Sequence, residues 1–163
     1  MFKDPNYKCT GAIVLGMHDA LVSITGTIAG LTFALAERHL IILTAIITSV
    51  VASLSMSASS YLSERANETN NAIHAAIYTG IAFLTTSALL ILPFIILSNT
   101  HVALTYMFLI AVFIIFFFNA YIGMRKHKPF MKKFIEMLLV CGIVSVLAFV
   151  ISELSKYFLG INL

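Results

Sequence analysis

Five long apolar runs, separated by short polar segments, make up most of the 163-residue chain. A helix needs about 20 predominantly apolar residues to cross the hydrocarbon core of a bilayer, and each run reaches that length. The pattern therefore predicts an all-α integral membrane protein with five transmembrane helices, at residues 11–36, 40–62, 72–97, 102–123 and 134–158. Pro93 is expected to kink the far end of the third helix.

Composition supports this interpretation. The chain is 60% hydrophobic and 10% charged, with a mean hydropathy of +1.00, whereas soluble domains are about 45–50% apolar and about 25% charged. No polar stretch is long enough for a second domain, so we predict one transmembrane domain over residues 1–163. Cys9 precedes an apolar run and Cys141 lies inside another, and we expect no disulfide between them.

The basic residues sit in short segments between the apolar runs, which indicates membrane topology rather than nucleic-acid binding. Eight fall on one side, namely Lys3, Lys8, Arg65, Arg125, Lys126, Lys128, Lys132 and Lys133, and two on the other, namely Arg38 and Lys156. Positive charge favours the cytoplasm. We therefore predict a cytoplasmic N-terminus and a C-terminus on the outer side, in a cell (inner) membrane or an organelle membrane.

Asp19 is the most informative residue, since an ionisable side chain in a transmembrane helix is costly and usually lines a pathway. It lies about 12 Å from the cytoplasmic end of the first helix. The alternative is an Asp that reaches the interface or bonds a neighbouring helix. The first run is much longer than a signal-peptide core of about 7–15 residues and carries this acid, so we predict an uncleaved helix.

Asp19, Ser23, Gly26 and Gly30 share one small, polar face of the first helix. Gly26 and Gly30 form a GxxxG pair, which favours close helix association. Ordinary helix packing explains the pair equally well. On the second helix Met56 lies about 9 Å from the cytoplasmic end, at a depth similar to that of Asp19. A carboxylate with a thioether suits Fe²⁺ or Mn²⁺ better than Ca²⁺ or Mg²⁺, while a lone membrane Met is usually core filler.

Other polar residues give weaker signals. Asn119 could complete a metal site, but an interhelical hydrogen bond is the preferred interpretation. Glu136, Glu64 and Glu68 lie on the predicted inner side and could attract cations. The default interpretation is that they are simply acids exposed to solvent. Glu153, near the outer end, could mark an exit route or simply reach the interface. We find no zinc-binding His pair, phosphate-binding glycine loop or nucleophile elbow, and therefore predict no enzyme and no resident cofactor.

Two stretches resemble the vacuolar iron transporter family. Residues 16–23 and 29–31 resemble that family's Gly-x-x-Asp-Gly-Leu…Ala-Gly-Leu signature, and residues 54–63 resemble its Ile-Ser-Met-Gly-x-Gly-x-Tyr-Leu-Ser signature. The resemblance implies proton-coupled export of Fe²⁺ or Mn²⁺ from the cytosol by a homodimer whose first helices meet at the pore. It assigns metal binding to Asp19 and Met56 and makes protons the coupling ion.

The chain also departs from the family pattern. Ala20, Ser57 and Ser59 replace signature glycines, and Ser60 stands where many relatives carry Glu. Larger members have a cytoplasmic metal-binding domain between helices two and three, where this chain has only residues 64–71, as in the short, nodulin-like branch. Our hypothesis is a small divalent-metal exporter; the alternatives are a non-transporting scaffold or subunit that docks a partner through Gly26 and Gly30, and a channel or carrier for another solute.

Overall fold

The computed structural model describes residues 5–34, 37–68, 71–126 and 130–159. Side chains are described for all of these except residues 5–9, 121–126, 130, 132, 133 and 159. Seven of the basic side chains that orient the chain lie outside the described residues: Lys3, Lys8, Arg125, Lys126, Lys128, Lys132 and Lys133. The side chain of Cys9 also lies outside them, while Cys141 is a free, buried cysteine.

The described residues form five helices and no strand, as the apolar pattern predicts. The helices are α1 (Pro5–Ala34), α2 (Arg38–Ala66), α3 (Ala72–Ile96), α4 (Thr100–Lys126) and α5 (Phe130–Leu159). Each contains a segment long and apolar enough to cross a membrane. The predicted fold class is confirmed, and the chain is a multi-pass integral membrane protein; which end faces the cytoplasm stays a prediction.

Most helices extend beyond the apolar runs that predicted them. α1 begins at Pro5 rather than at residue 11, α2 covers Arg38–Ala66 rather than 40–62, and α5 begins four residues early, at Phe130. Hydropathy marks only the part of a helix that lies in hydrocarbon, whereas backbone hydrogen bonding continues into the polar interface. The predicted end of the first helix, at residues 35–36, lies outside the described residues.

α1 is the central helix and contacts each of the other four. α2 packs on α3, α3 on α4, and α4 on α5, whereas α2 and α5 have at most a marginal contact over the described residues. The four outer helices therefore surround α1 on all sides but one. The core beside α1 is filled by fully buried residues of three helices, namely Leu21, Ile24, Ile28, Phe83, Phe94, Met107 and Ile115.

Buried hydroxyls inside the bundle are mostly satisfied by the preceding turn of their own helix. Thr32 donates to the carbonyl of Ile28 at 2.7 Å, and Ser49 to that of Ala45 at 2.7 Å. Such bonds allow Ser and Thr to lie within a membrane without an unpaired donor. α3 continues through Pro93 to Ile96.

We call the two ends of the bundle the link end and the turn end. The link end holds Asn67, Glu68 and Asn71 between α2 and α3, and the turn end holds Glu37 between α1 and α2. At the turn end the Arg38 Nη1 atom donates to the carbonyl of Leu97 at 3.1 Å, which ties the start of α2 to the end of α3.

Candidate functional site

The backbones of α1 and α3 approach each other closely at Gly16. A Cβ atom there would overlap the carbonyl oxygen of Thr79 on α3, so only glycine permits this backbone contact. The hydroxyl of Thr79 donates in turn to the Ser60 hydroxyl of α2 at 3.1 Å. Gly16, Thr79 and Ser60 therefore define one level of the bundle, at which three helices meet near the link end.

Asp19 and Met56 lie at similar depth above this level. α1 and α2 are antiparallel, so Asp19 lies about 4.5 Å beyond Gly16 and Met56 about 6 Å beyond Ser60, in the same direction. Both side chains are half-buried, and Met56 packs against the hydrophobic core. Packing thus gives the same relative depth that counting from the helix ends predicts; metal binding by this pair stays a prediction.

A crevice of about 420 Å³ opens beside Met56, between the link ends of three helices. We call it the Met56 crevice; its lining is Gly11, Ala12, Leu15, Met56, Ser59, Ser60, Ser63, Glu64 and Ala75. It combines a thioether, a carboxylate and several hydroxyls. Glu64 is half-buried at its mouth, about 12 Å from Met56 along α2.

A second crevice, of about 630 Å³, lies between α1 and α5 toward the turn end. We call it the Ser152 crevice; its lining is Ser23, Gly26, Thr27, Gly30, Leu31, Ala34, Val144, Leu147, Ala148, Ile151, Ser152 and Ser155. Hydroxyls and small apolar groups make up this surface.

One row of α1 residues joins the two crevices. Every fourth residue from Gly11 to Leu31 is half-buried or exposed, in the order Gly11, Leu15, Asp19, Ser23, Thr27 and Leu31. The first two line the Met56 crevice and the last three line the Ser152 crevice. Asp19 is the one member between them. At 3.6 residues per turn the row winds about 200° around α1, from the crevice beside α2 to the crevice beside α5, with its one carboxyl at the junction of the two crevices.

The GxxxG pair faces α5 of the same chain. A Cβ on Gly26 would lie 3.0 Å from Cγ1 of Val144, and one on Gly30 would lie 3.5 Å from the carbonyl oxygen of Ala148. Gly26 is buried and Gly30 is half-buried at the rim of the Ser152 crevice. The small residues thus allow α1 and α5 to pack closely within one chain; their predicted part in dimer packing stays a prediction.

Asn119 links α4 to α5. Its Nδ2 atom donates to the Ile115 carbonyl at 2.9 Å and to the Met137 sulfur at 3.1 Å. The side chain is buried and lies in neither crevice lining. This contact is the interhelical hydrogen bond that the sequence analysis preferred over a role as metal ligand.

The remaining acids lie apart from Asp19. Glu68 is exposed and adopts a left-handed conformation, with a φ of 54°, just after α2 ends. Glu136 is exposed on α5, and Glu153 pairs with Lys156 at 3.0 Å near the end of that helix. Over the described residues, no group of three or more His, Cys, Asp and Glu side chains could hold a metal ion. Any metal at Asp19 would need thioether and neutral oxygen ligands as well.

Two features of the site were missed by the sequence analysis. The Gly16–Thr79 contact joins residues of α1 and α3 that no sequence motif relates. Ser152 follows Val144 and Ala148 at four-residue spacing, so the small-residue face of α5 was detectable, but its partner helix was not. The sequence pattern identifies helix faces that carry small or polar residues, but only the fold shows which of these faces contact each other.

Comparison with known proteins supplies independent evidence for the first two helices. Residues 10–72, which contain nearly all of α1 and the whole of α2, match the model of the VIT family. No curated protein matches the chain significantly. Members of the VIT family are transporters rather than enzymes, and the family suggests a metal-ion transporter. The matched stretch contains both sequence motifs, the one around Asp19 and the one around Met56, and over these residues the chain is similar to the VIT family.

Proposed function

We propose that the chain transports Fe²⁺ or Mn²⁺ and exports the ion from the cytosol in exchange for protons. The observation that carries the proposal is the position of Asp19, on the α1 row between two crevices that open toward opposite ends of the bundle. A carboxyl within a transmembrane helix is costly unless a cation or proton compensates its charge. A passing cation offsets that cost at the point where the two routes meet.

The ion would first reach the Met56 crevice from the cytosol. Glu64 attracts cations to the mouth, and Met56 supplies a sulfur ligand that favours Fe²⁺ or Mn²⁺ over Ca²⁺ and Mg²⁺. Asp19, when deprotonated, then binds the ion. This route runs from the link end, the side on which the predicted positive charges lie, toward the middle of the bundle.

Exchange follows from competition at one carboxyl. A proton arriving from the turn end neutralises Asp19 and releases the ion toward the Ser152 crevice. Return of the proton to the cytosol regenerates the carboxylate. Because one oxygen pair cannot hold the proton and the metal together, each outward metal step is coupled to inward proton movement.

A homodimer through α1 is part of the proposal. The α1 row lies on the side left open between α2 and α5, where a single chain would expose the half-buried Asp19 to lipid. A second copy packed on the same side would cover both carboxyls and would add a second Asp19 and Met56 to the ligand set.

The experiment measures metal flux and internal pH in proteoliposomes that contain the purified chain. The Mn²⁺ flux of the wild-type chain should increase with the imposed pH gradient. Protons should cross the membrane in the direction opposite to Mn²⁺, and the internal pH should change as they do. Asp19→Asn keeps the shape of the side chain but not the charge, and should abolish both signals. Glu136→Gln is the matched control, because it removes one exposed carboxyl that lies in neither crevice.

Two results would overturn the proposal. Full, pH-driven flux by Asp19→Asn would rule out exchange at this carboxyl. A folded wild-type chain that moves neither Fe²⁺ nor Mn²⁺ would instead favour the scaffold alternative, and flux of Ca²⁺ alone would favour another solute.

A further inference from the structure

Ser152 is a buried polar group without a partner. Its side chain is 7% exposed, and its hydroxyl oxygen has no hydrogen bond to any described residue. On the same helix, the Ser145 hydroxyl donates to the Cys141 carbonyl at 2.8 Å, which is the usual arrangement of serine in a membrane helix. A buried hydroxyl left unpaired is unfavourable, so the site favours a ligand that completes it.

The surroundings of Ser152 specify the chemistry of that ligand. Ser152 lines the α1–α5 crevice together with the hydroxyls of Ser23, Thr27 and Ser155. Each hydroxyl oxygen can accept a hydrogen bond or approach a cation, and no charged side chain belongs to the described lining. These groups suit a hydrated cation held weakly through its water shell, rather than an anion or a tightly coordinated metal.

The crevice begins one helical turn from Asp19. Ser23 donates its proton to the Asp19 carbonyl at 2.7 Å, so its oxygen remains available to accept from a ligand. Thr27 follows on the same row about 6 Å further toward the turn end. The hydroxyls therefore continue the path of an ion that leaves the carboxyl.

We propose that Ser152, with Ser23, Thr27 and Ser155, forms a neutral-oxygen subsite that receives the hydrated divalent cation after Asp19 releases it. This inference rests on the proposed transport function and extends it to the exit step. Conduction needs sites that bind an ion strongly enough to accept it and weakly enough to lose it. Uncharged hydroxyls provide the weak site that a carboxylate cannot provide.

The first test compares Ser152→Ala with the wild-type chain in the Mn²⁺ flux assay. Maximal export should fall roughly threefold to tenfold, the loss expected for one hydrogen-bonding group, whereas the Mn²⁺ concentration for half-maximal flux at the Met56 crevice should not change. Ser152→Thr should restore export, because it keeps the hydroxyl. Ser145→Ala is the matched control, since that serine lies outside the crevice lining.

The second test does not depend on transport. Ser152→Cys, in a chain with Cys9→Ser and Cys141→Ala, is treated with a membrane-impermeant thiol reagent from each side of sealed vesicles. The thiol should react from the turn end only, and millimolar Mn²⁺ should slow the reaction severalfold. Ser145→Cys in the same background should show no such protection by Mn²⁺.

The outcomes separate this inference from the proposed function. Loss of flux in Asp19→Asn with wild-type kinetics in Ser152→Ala would keep the transporter and overturn the subsite. Failure of the wild-type chain to move metal would overturn the proposed function, and the labelling result would then decide whether the crevice binds cations. A thiol at Ser152 that no aqueous reagent reaches would show a crevice filled by lipid or by a second copy, and would also overturn the subsite.

Discussion

The two crevices share one row of α1 but differ in what faces it. The Met56 crevice is built from three helices and carries a thioether and a carboxylate, whereas the Ser152 crevice is built from two and carries only hydroxyls and small apolar groups on its described surface. Ligand strength therefore falls along α1 from the link end to the turn end. The comparison teaches that unequal neighbours can give the two ends of a central helix different chemistry, while the helix itself presents one continuous row.

Different packing underlies this difference. α2 is fixed to α3 by the Thr79–Ser60 hydrogen bond and by Gly80, where a Cβ would overlap the Ser57 hydroxyl. α5 contacts α1 closely at Gly26 and at ordinary van der Waals distance at Gly30, but only 6% of its apolar window is buried. The Met56 crevice thus lies beside two helices joined by a hydrogen bond and close contacts, whereas the Ser152 crevice lies beside a helix that is largely exposed.

The largest expected effect comes from disrupting the close contact between α1 and α3 near the Met56 crevice. Gly16→Ala places a methyl group on the Thr79 carbonyl oxygen, and backbone on both sides must move. Overpacking of this kind costs about 1–3 kcal/mol, so the midpoint of thermal unfolding in detergent should fall clearly. Gly142→Ala on α5 is the control, because nothing lies within 4 Å of its added Cβ. Equal stability of the two variants would contradict the close α1–α3 contact.

The sulfur of Met56 provides the next largest effect. Met56→Leu keeps most of the volume but removes the soft ligand, so the Mn²⁺ concentration for half-maximal flux should rise about tenfold, which corresponds to about 1.4 kcal/mol. Met107→Leu is the matched control, since Met107 is fully buried in α4 and lies in neither crevice. A similar response of the two variants would assign Met56 to packing alone and would remove the chemical contrast between the crevices.

The five helices could be predicted from the sequence because a membrane imposes a length and a polarity on each span, and both are local properties. The register between helices could not be predicted, because it depends on contacts such as Gly16 with Thr79 between distant segments. GxxxG marked a face of α1 suited to close packing, but nothing in residues 26–30 indicates that α5 of the same chain covers part of it. Asp19 was found from its charge alone; Ser152 was missed because an unpaired hydroxyl becomes visible only when its neighbours are known.

Helix ends were predicted least well, for a related reason. The apolar pattern predicts that the second helix ends at residue 62, yet α2 continues to Ala66. Beyond it, the amide nitrogens of Asn67 and Glu68 donate to the carbonyls of Ser63 and Arg65 at 3.2 and 3.1 Å. These backbone bonds carry the chain past the apolar run, so the mouth of the Met56 crevice is helical and Glu64 has a defined position there.

The smallest effect concerns Glu64, whose carboxyl acts at a distance as a charge at the crevice mouth. Glu64→Gln should raise the Mn²⁺ concentration for half-maximal flux about threefold at low ionic strength, and the difference should vanish near 1 M salt, where charges are screened within about 3 Å. Glu153→Gln is the control, because its partner is Lys156 and it lies in neither crevice. A loss of tenfold or more that persists at high salt would instead make Glu64 a direct ligand. The strong site would then extend from Asp19 to the mouth, which would sharpen the contrast with the neutral Ser152 crevice.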